Sequence, residues 1–556
     1  MTEQQTSTIW MNVTTSARWQ RPPVGIVRVE QELYKSLSAL LGAQFKPCVI
    51  DNGQFVPYSH QRDFAANITP QNEPIAHWPD PSYDFPFTDF DLTSNELTFD
   101  APIRVEGAPM ESKSVQSSCP LKHGDTLISV GLDWDLEQEG IGRIFYNLKK
   151  IRGVNIICCC YDLIPIIYPQ YCVGDVAAKF QEYFTNITWS SSAILCISER
   201  TRNDYKCLVE RLGLPQIPTK VIPLGNNLPE DGDVIGPEVE RILTQPFILF
   251  VSTIERRKNH EVLYRAYHLL RQEGHSATIP RLVFVGMPGW GVGDLLKDIE
   301  LDPLTKDYIV QLHHVNDTEL RRLYEQCSFF VYPSLYEGWG LPVAEALAFG
   351  KPVLASERGS IPEVGGDLVQ YIDPWSPKAW AEAILKLAGS PGILDELAAN
   401  IHRQYKPRRW SETALAVKEV IDELEEARSH VLHLDPGYEL KTVDGLSYGS
   451  RIVSTGGKGI ISRGPHISLP ASRCKLTINM DKKGGSAGSF SIRLTYGNGN
   501  YLLSEKIVEF AEDEFFGRDI EINEFDIPHE IDDFEVVTQI DSDMLVSLNS
   551  IKLELD

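Results

Sequence analysis

Residues 329–356 read FFVYPSLYEGWGLPVAEALAFGKPVLAS. The opening FFVYPS is a short apolar, aromatic-rich run and predicts a buried strand. Gly338 and Gly340 permit a tight turn and close approach of the backbone to a ligand. Pro342 suits the first turn of a helix, where its missing N–H costs nothing. VAEALAFG continues as helix to Gly350, and KPVLAS reads as the next strand. Strand, turn, helix and strand in this order form the repeating unit of a parallel sheet. The amides near Gly340 and Leu341 then stand at a helix N-terminus, which favours an anion. They also stand at the carboxyl edge of the sheet, where open α/β sheets bind ligands. Glu337 precedes the turn, and Glu345 lies about one turn into the helix. A carboxylate at Glu345 can accept a pair of hydrogen bonds from a sugar cis-diol. Glu337 can reach hydroxyls on the other side of the anion. Either acid alone is explained as well by a helix-dipole partner or a loop acid, but together they describe a nucleotide sugar: ribose, diphosphate, hexose.

The same alternation extends in both directions. STIWMNV, DTLISVG, VNIICCCYD, AILCIS and KVIPLG are short apolar runs separated by helical patterns. One of these helices, IVRVEQELYKSLSALLG, places Leu33, Leu37 and Leu40 on one face and is expected to stop at Gly42. A second series follows: PFILFVST, RLVFVG, IVQLHHV, FFVYPS, KPVLAS and VQYID. Near-continuous apolar strands imply parallel sheets covered on both faces. One sheet of this length is improbable, and the polar stretch 226–240 reads as a boundary between two doubly wound domains. The expected division is 1–230 and 231–409. An amphipathic helix over 410–428, with Trp410, Val417, Val420, Ile421 and Leu424 on one side, follows them. HLDPGYELKTVDG then reads as a linker. Beyond it, regularly spaced strands with Gly and Asn turns predict an all-β sandwich over 435–556 without a helix. Its acidic stretch EFAEDEFFGRDIEINEF reads as a solvated edge.

The chain of 556 residues carries 52 Lys and Arg against 77 Asp and Glu, a net charge of −25. Such a balance argues against nucleic acid as a partner, because phosphate backbones select basic surfaces. The opening MTEQQTSTIWMNV lacks the pattern of a secretory signal, and no apolar run approaches the ~18 residues needed to cross a membrane. The ten cysteines, without a C-x-x-C pair, read as reduced, largely buried thiols of a cytoplasmic protein. The N-x-T sequons at Asn12, Asn67, Asn186 and Asn316 are then without consequence.

LFVSTIERRKNHEVLYRAY puts Arg256, Arg257 and Lys258 between a strand and a helix. Read alone, they are a solvated basic loop. Beside the sheet edge that carries Glu337, they suit a diphosphate and would stabilise charge developing on a nucleoside-diphosphate leaving group. GLDWDLE contains a literal D-x-D, Asp133 and Asp135. No metal is expected there, since the cations already serve the diphosphate. Asp133 and Trp134 are instead expected to line an acceptor cleft, with Trp134 stacking on a sugar ring. His313 and His314 read as structural residues alternating along a strand.

These stretches resemble the retaining glycosyltransferases of the GT-B fold, the large family four related to glycogen and sucrose synthases. The E-x7-E pattern is Glu337 to Glu345, its companion is STIERRKNH at 252–260, and VIPLGNN, SERGSIPEVGG and WSETA also match. The resemblance covers about residues 8–428 and implies two Rossmann-like domains, the second binding the donor, with the helix 410–428 returning to the first. It assigns Arg257 and Lys258 to the diphosphate and Glu337 to the donor sugar. Gly340 and Leu341 amides go to phosphate or sugar, Glu345 to the ribose, Val315 near the base, and Gly25 to the loop facing the donor phosphates. Two departures stand out. Tyr161-Asp162 replaces the family's frequent His-Asp, leaving Asp162 as the substitute catalytic candidate, and Ser252 replaces the glycine that opens the basic loop. The C-terminal sandwich lies outside the family core.

The reading is a cytoplasmic hexosyl- or deoxyhexosyltransferase acting with retention, with GDP-mannose favoured as donor by analogy. Its acceptor would be a growing, lipid-linked glycan of a surface polysaccharide, a role compatible with peripheral contact at the inner membrane face or with an assembly complex. No cofactor is expected beyond the nucleotide-sugar co-substrate. The competing readings are a GT-B-shaped epimerase or phosphorylase and a non-catalytic carbohydrate-binding scaffold.

Overall fold

The computed structural model describes residues 7–19, 25–58, 119–134, 140–227, 235–426, 431–434, 436–448, 450–512, 517–529 and 531–555. The expected boundary at 226–240 therefore lies partly outside the described residues, as do Asn67 and Asp135.

The first sheet contains β1 (Ile9–Asn12), β2 (Phe45–Asp51), β3 (Gln54–Pro57), β4 (Thr126–Ser129), β5 (Asn155–Cys160), β6 (Ala193–Cys196) and β7 (Thr219–Val221), in the order β3-β2-β1-β4-β5-β6-β7. All neighbours run parallel except β3, which turns back on β2. The hairpin β2–β3 was not among the expected strands, since Pro47 and Lys46 break its apolar pattern. The triple cysteine shows why these strands are apolar throughout. Cys158 and Cys160 enter the core on one side of the sheet, and Cys159 enters the core on the other. Side chains alternate across a strand, so a sheet covered on both faces favours apolar residues at every position.

The helix Gly25–Leu41 buries Leu33 and Leu37, but Leu40, expected on the same face, is 40 % exposed. It falls in the last turn, just before Gly42 leaves the helix at φ +57°, beyond the reach of the core. The helix Trp410–Glu426 returns to this domain, with Trp410, Val417, Val420 and Ile421 sharing a core with Leu33 and Leu37. Trp410 lies so close to Gly225 that an added Cβ would stand 2.7 Å from the indole.

The second sheet has β8 (Phe247–Val251), β9 (Arg281–Val285), β10 (Ile309–Leu312), β11 (Phe329–Tyr332), β12 (Val353–Ala355) and β13 (Val369–Tyr371), in the order β10-β9-β8-β11-β12-β13. Every pairing is parallel. His313 and His314 are not strand residues: both are exposed beyond the end of β10, and His314 adopts φ +58°. The architecture is thus two doubly wound α/β domains followed by an all-β sandwich.

The sandwich consists of two six-stranded antiparallel sheets. The stretch read as a linker belongs to it. The strand Val431–Leu434 pairs antiparallel with Leu545–Leu555, and a short helix, Pro436–Glu439, and the strand Lys441–Thr442 follow. Four residues are too few to show a periodicity, so the pattern hid the strand. The strands Tyr501–Phe510 and Gly517–Ile527 close the edges of the two sheets, and acidic side chains on these strands oppose edge-to-edge association.

Two truncations test this assignment. A chain ending at Glu426 is expected to remain monodisperse with a cooperative thermal transition. A chain ending at Leu440 keeps the strand Val431–Leu434 without its partner and is expected to aggregate in size-exclusion chromatography.

Candidate nucleotide-sugar site

The loop after β8 carries the cations. Arg256–Lys258 forms a single 3₁₀ turn, and Asn259, at φ +61°, redirects the chain into the helix His260–Gln272. The Asn259 amide donates to the carbonyls of Pro333 (3.2 Å) and Pro374 (2.8 Å), which ties this loop to the loops following β11 and β13. Arg257 and Lys258 are thereby delivered to Glu337. Arg257 Nη1 lies 2.9 Å from Glu337 Oε2 and Lys258 Nζ 2.6 Å from Oε1. Ser334 Oγ (2.5 Å) and Tyr332 OH (3.0 Å) also donate to Oε1. Arg257 further donates to the Tyr336 carbonyl (2.7 Å) and to Glu255 (2.8 Å). Arg256 points elsewhere, to the Gly291 carbonyl at 3.0 Å.

The electrostatics follow from burial and pairing. Burial alone would raise the Glu337 carboxyl, but Arg257 and Lys258 outweigh it and hold the group down at about 2. Burial, reinforced by the Arg257 charge, lowers Lys258. Asp162, at the end of β5 and half-buried, is raised by burial against the pull of Arg257, and it accepts the Ile164 amide at 3.0 Å. Glu337, Arg257, Lys258 and Asp162 thus form one electrostatic cluster between the two domains.

Gly340, at φ +101°, stands at the N-cap of the helix Leu341–Ala348. Trp339 and Leu341 pack against the core of the first domain, and the buried indole N–H of Trp339 has no hydrogen-bond partner among the described residues. Glu345 is buried, receives a hydrogen bond from Tyr324 OH at 2.8 Å, and is raised by burial against the nearby Arg28. Val315 is half-buried against the second core. Gly25 opens the helix Gly25–Leu41 at φ +52°, and a Cβ there would meet nothing within 4 Å. At Gly338 a Cβ would lie 2.1 Å from the Tyr161 carbonyl, so only glycine lets the two domains touch there.

Asp133 and Trp134 stand apart from this cluster. Asp133 is 1 % exposed and its carboxyl is occupied by Ser129 (2.7 Å), Asn12 (3.2 Å) and Tyr183 (3.5 Å). Burial lifts it to about 6. Trp134 packs on Phe180 and Tyr183, with ring centroids 4.9 and 6.0 Å away. The expected acceptor lining is therefore part of a core, because the chain turns inward after β4.

Several participants escaped the sequence reading. Tyr332 and Ser334 sit at the end of β11 and hold Glu337, while Tyr324 holds Glu345. Arg28 had a legible signal: a cation in the first turn of a helix opposes the helix dipole and so calls for an acid supplied from elsewhere. Glu30 had none. It is fully buried, accepts the Ser16 amide at 2.6 Å through Oε1, and leaves Oε2 without a partner among the described residues. Burial raises it to about 8.

Residues 236–406 match the family described as "Glycosyl transferases group 1". That span contains the basic loop, Glu337 and Glu345. The chain is 29% identical over 269 residues to the serotype-specific mannosyltransferase WbdA of Escherichia coli, covering 46% of this chain and 32% of that protein. It is 28% identical over 277 residues to O-antigen chain mannosyltransferase B of Escherichia coli, covering 50% of this chain and 67% of that one. The match to the first therefore spans about a third of that protein's length. Among solved structures, sucrose-phosphate synthase from Thermosynechococcus elongatus aligns at 17% identity and TM-score 0.49 over 76% of this chain and all of that one.

Two measurements test this geometry. Gly338→Ala is expected to lower activity strongly with a smaller effect on thermal stability, because it forces the domains apart at Tyr161 while both cores stay intact. Glu30 and Asp133 hold protons in the native state that the unfolded chain releases, so stability should fall as pH rises from about 4.5 to about 8. Of these two groups, only Glu30 still contributes to the decline above about pH 6. Thermal unfolding of Glu30→Gln should therefore be flatter than wild type between pH 6 and 8 (roughly, from the linkage relation), and a parallel decline would refute the assignment.

Proposed function

We propose that the protein is a glycosyltransferase that moves a hexosyl or deoxyhexosyl unit, mannosyl by preference, from a nucleotide-diphosphate sugar to a glycan acceptor. The observation that carries this reading is the buried contact of Arg257 and Lys258 with Glu337 beside the helix N-terminus at Gly340, with Glu345 one turn further on. Without donor, Glu337 balances the two cations. A diphosphate entering between Gly340 and the basic loop takes over Arg257 and Lys258, and Glu337 is left to bind sugar hydroxyls. As the glycosidic bond breaks, the same cations stabilise the negative charge on the departing nucleoside diphosphate, so the step needs no metal.

Retention follows on this reading from a front-face reaction, with Asp162 beside the sugar rather than a nucleophile and acid at glycosidase spacing. The named mannosyltransferase relatives support mannose and a surface-polysaccharide acceptor. No described helix is long and apolar enough to cross a membrane. We assign any encounter with a lipid-linked acceptor to peripheral contact at the inner membrane face.

Thermal unfolding against GDP, UDP, dTDP, ADP and their sugars, with and without EDTA, tests the reading first. A nucleotide at a hundred times its dissociation constant raises stability by about 2.7 kcal/mol. One nucleotide family should stabilise the protein irrespective of EDTA. No shift with any of them would favour the carbohydrate-binding scaffold. Glu345→Gln should weaken nucleotide binding roughly tenfold, the scale of a hydrogen bond to a charged group. Glu337→Gln should lower kcat more than it raises donor KM. Wild-type kinetics in both variants would sink the site.

A further inference from the structure

Most contacts between the α/β domains engage backbone groups. Thr201 Oγ1 donates to the Gly338 carbonyl at 3.2 Å, and the Glu363 carboxylate accepts the amides of Glu199 and Arg200 at 2.8 Å each, at the N-terminus of the helix Glu199–Leu212. Asn226 donates to the Ala344 carbonyl at 3.1 Å. Side chains also meet across the boundary, as Tyr336 does with Asp204, and one such contact involves a cation beside Glu345. Arg28, on the helix Gly25–Leu41 of the first domain, reaches the second domain with both terminal nitrogens. Nη2 pairs with Asp317, the first residue of the helix Asp317–Gln326, and Nη1 lies 3.7 Å from Glu345 Oε1. The Arg28 side chain is only 12% exposed.

We propose that Arg28 is a positioning residue for the donor: it clamps the two domains together and holds a cation beside Glu345, the carboxylate aimed at the ribose. The proposal rests on Glu345 as the ribose-binding carboxylate. The geometry separates the two ends of the clamp. The contact with Asp317 is a hydrogen bond, whereas 3.7 Å to Glu345 is an electrostatic contact beyond hydrogen-bond length. Oε1 of Glu345 is therefore open to a diol while the cation stays near it. Tyr324 OH holds the other oxygen at 2.8 Å and fixes the carboxylate plane. Among the described residues, the groups facing Glu345 include Arg28, Asp317, Tyr324 and Tyr405, of which Arg28 alone is a cation. Without it, a buried carboxylate would face Asp317 and take up a proton, and a protonated acid accepts a diol poorly.

Titration calorimetry on the full chain with GDP, and with UDP in a parallel arm, reads the effect, together with the radius of gyration in solution without nucleotide. Arg28→Gln should raise the dissociation constant roughly tenfold, within the usual range of site-to-site coupling, more at low pH than at high pH. It should also enlarge the nucleotide-free radius of gyration. Arg28→Lys, which keeps the charge, should restore most of the affinity. Added to Glu345→Gln, Arg28→Gln should cost less than it does alone and lose its pH dependence, since part of its effect acts through that carboxylate. Wild-type affinity in Arg28→Gln, or a loss independent of pH and fully additive with Glu345→Gln, would overturn the proposal. If Arg28→Gln misfolds, Asp317→Asn removes the tight end of the clamp and should weaken binding in the same direction. The underlying ribose assignment fails differently: Glu345→Gln alone would then bind nucleotide like the wild type.

Discussion

The site depends on one buried ion cluster: the Glu337 carboxylate held between the Arg257 guanidinium and the Lys258 ammonium. Two cations placed side by side under little solvent repel each other and resist desolvation. Glu337 makes the pair tolerable in the folded chain, and its other hydrogen bonds from Ser334 and Tyr332 satisfy the lone pairs that burial would otherwise strand. The cluster also ties the second domain together. Its cations come from the loop after β8 and its acid from the loop after β11. Asn259 pins the first loop to the chain around Pro333 and Pro374.

The same cluster explains the position of the first domain. Tyr336, the residue before Glu337, gives its carbonyl to Arg257 and its hydroxyl to Asp204. Its ring packs on Tyr168 at 5.1 Å and lies under Arg200. Gly338, the residue after Glu337, meets the Tyr161 carbonyl. Thus the residues flanking the central acid are themselves the interface, and a shift of either domain would be felt at Glu337 without passing through a long chain of intermediates. Gly359 contributes from behind: a Cβ there would come within 2.3 Å of the Glu337 backbone.

Much of the fold was legible because both sheets are covered on both faces, which writes most strands as largely apolar runs. The pattern failed where a strand is short, interrupted or near an end: the hairpin Phe45–Pro57, the strand Val431–Leu434 and the exposed Leu40. The site was legible where chemistry is local in sequence, as with Glu337, Gly340 and Glu345 within nine residues. It was illegible where partners meet only through topology. Arg28 and Asp317 are separated by 289 positions, and no local spacing announces their pairing. Asp133 illustrates the opposite error. A D-x-D looks like exposed chemistry, yet its first carboxyl is enclosed by Asn12, Ser129 and Tyr183.

Tyr161, where the family resemblance would place a histidine, can be understood in the same terms. An imidazole at a strand end can offer a donor to a sugar, but the Tyr161 hydroxyl already donates to the Val130 carbonyl at 2.6 Å, inside the first domain. Its ring is buried in the core shared with Leu33 and Trp410. What Tyr161 presents to the cleft is its backbone carbonyl, and that carbonyl fixes the approach of Gly338. The strand end therefore acts as a spacer between the domains, with the Tyr161 hydroxyl turned inward. Asp162, the next residue, faces the Arg257 charge and becomes the polar group that β5 contributes to the cluster. A sugar held by Glu337 would meet a carboxyl at this point where an imidazole would have offered an N–H.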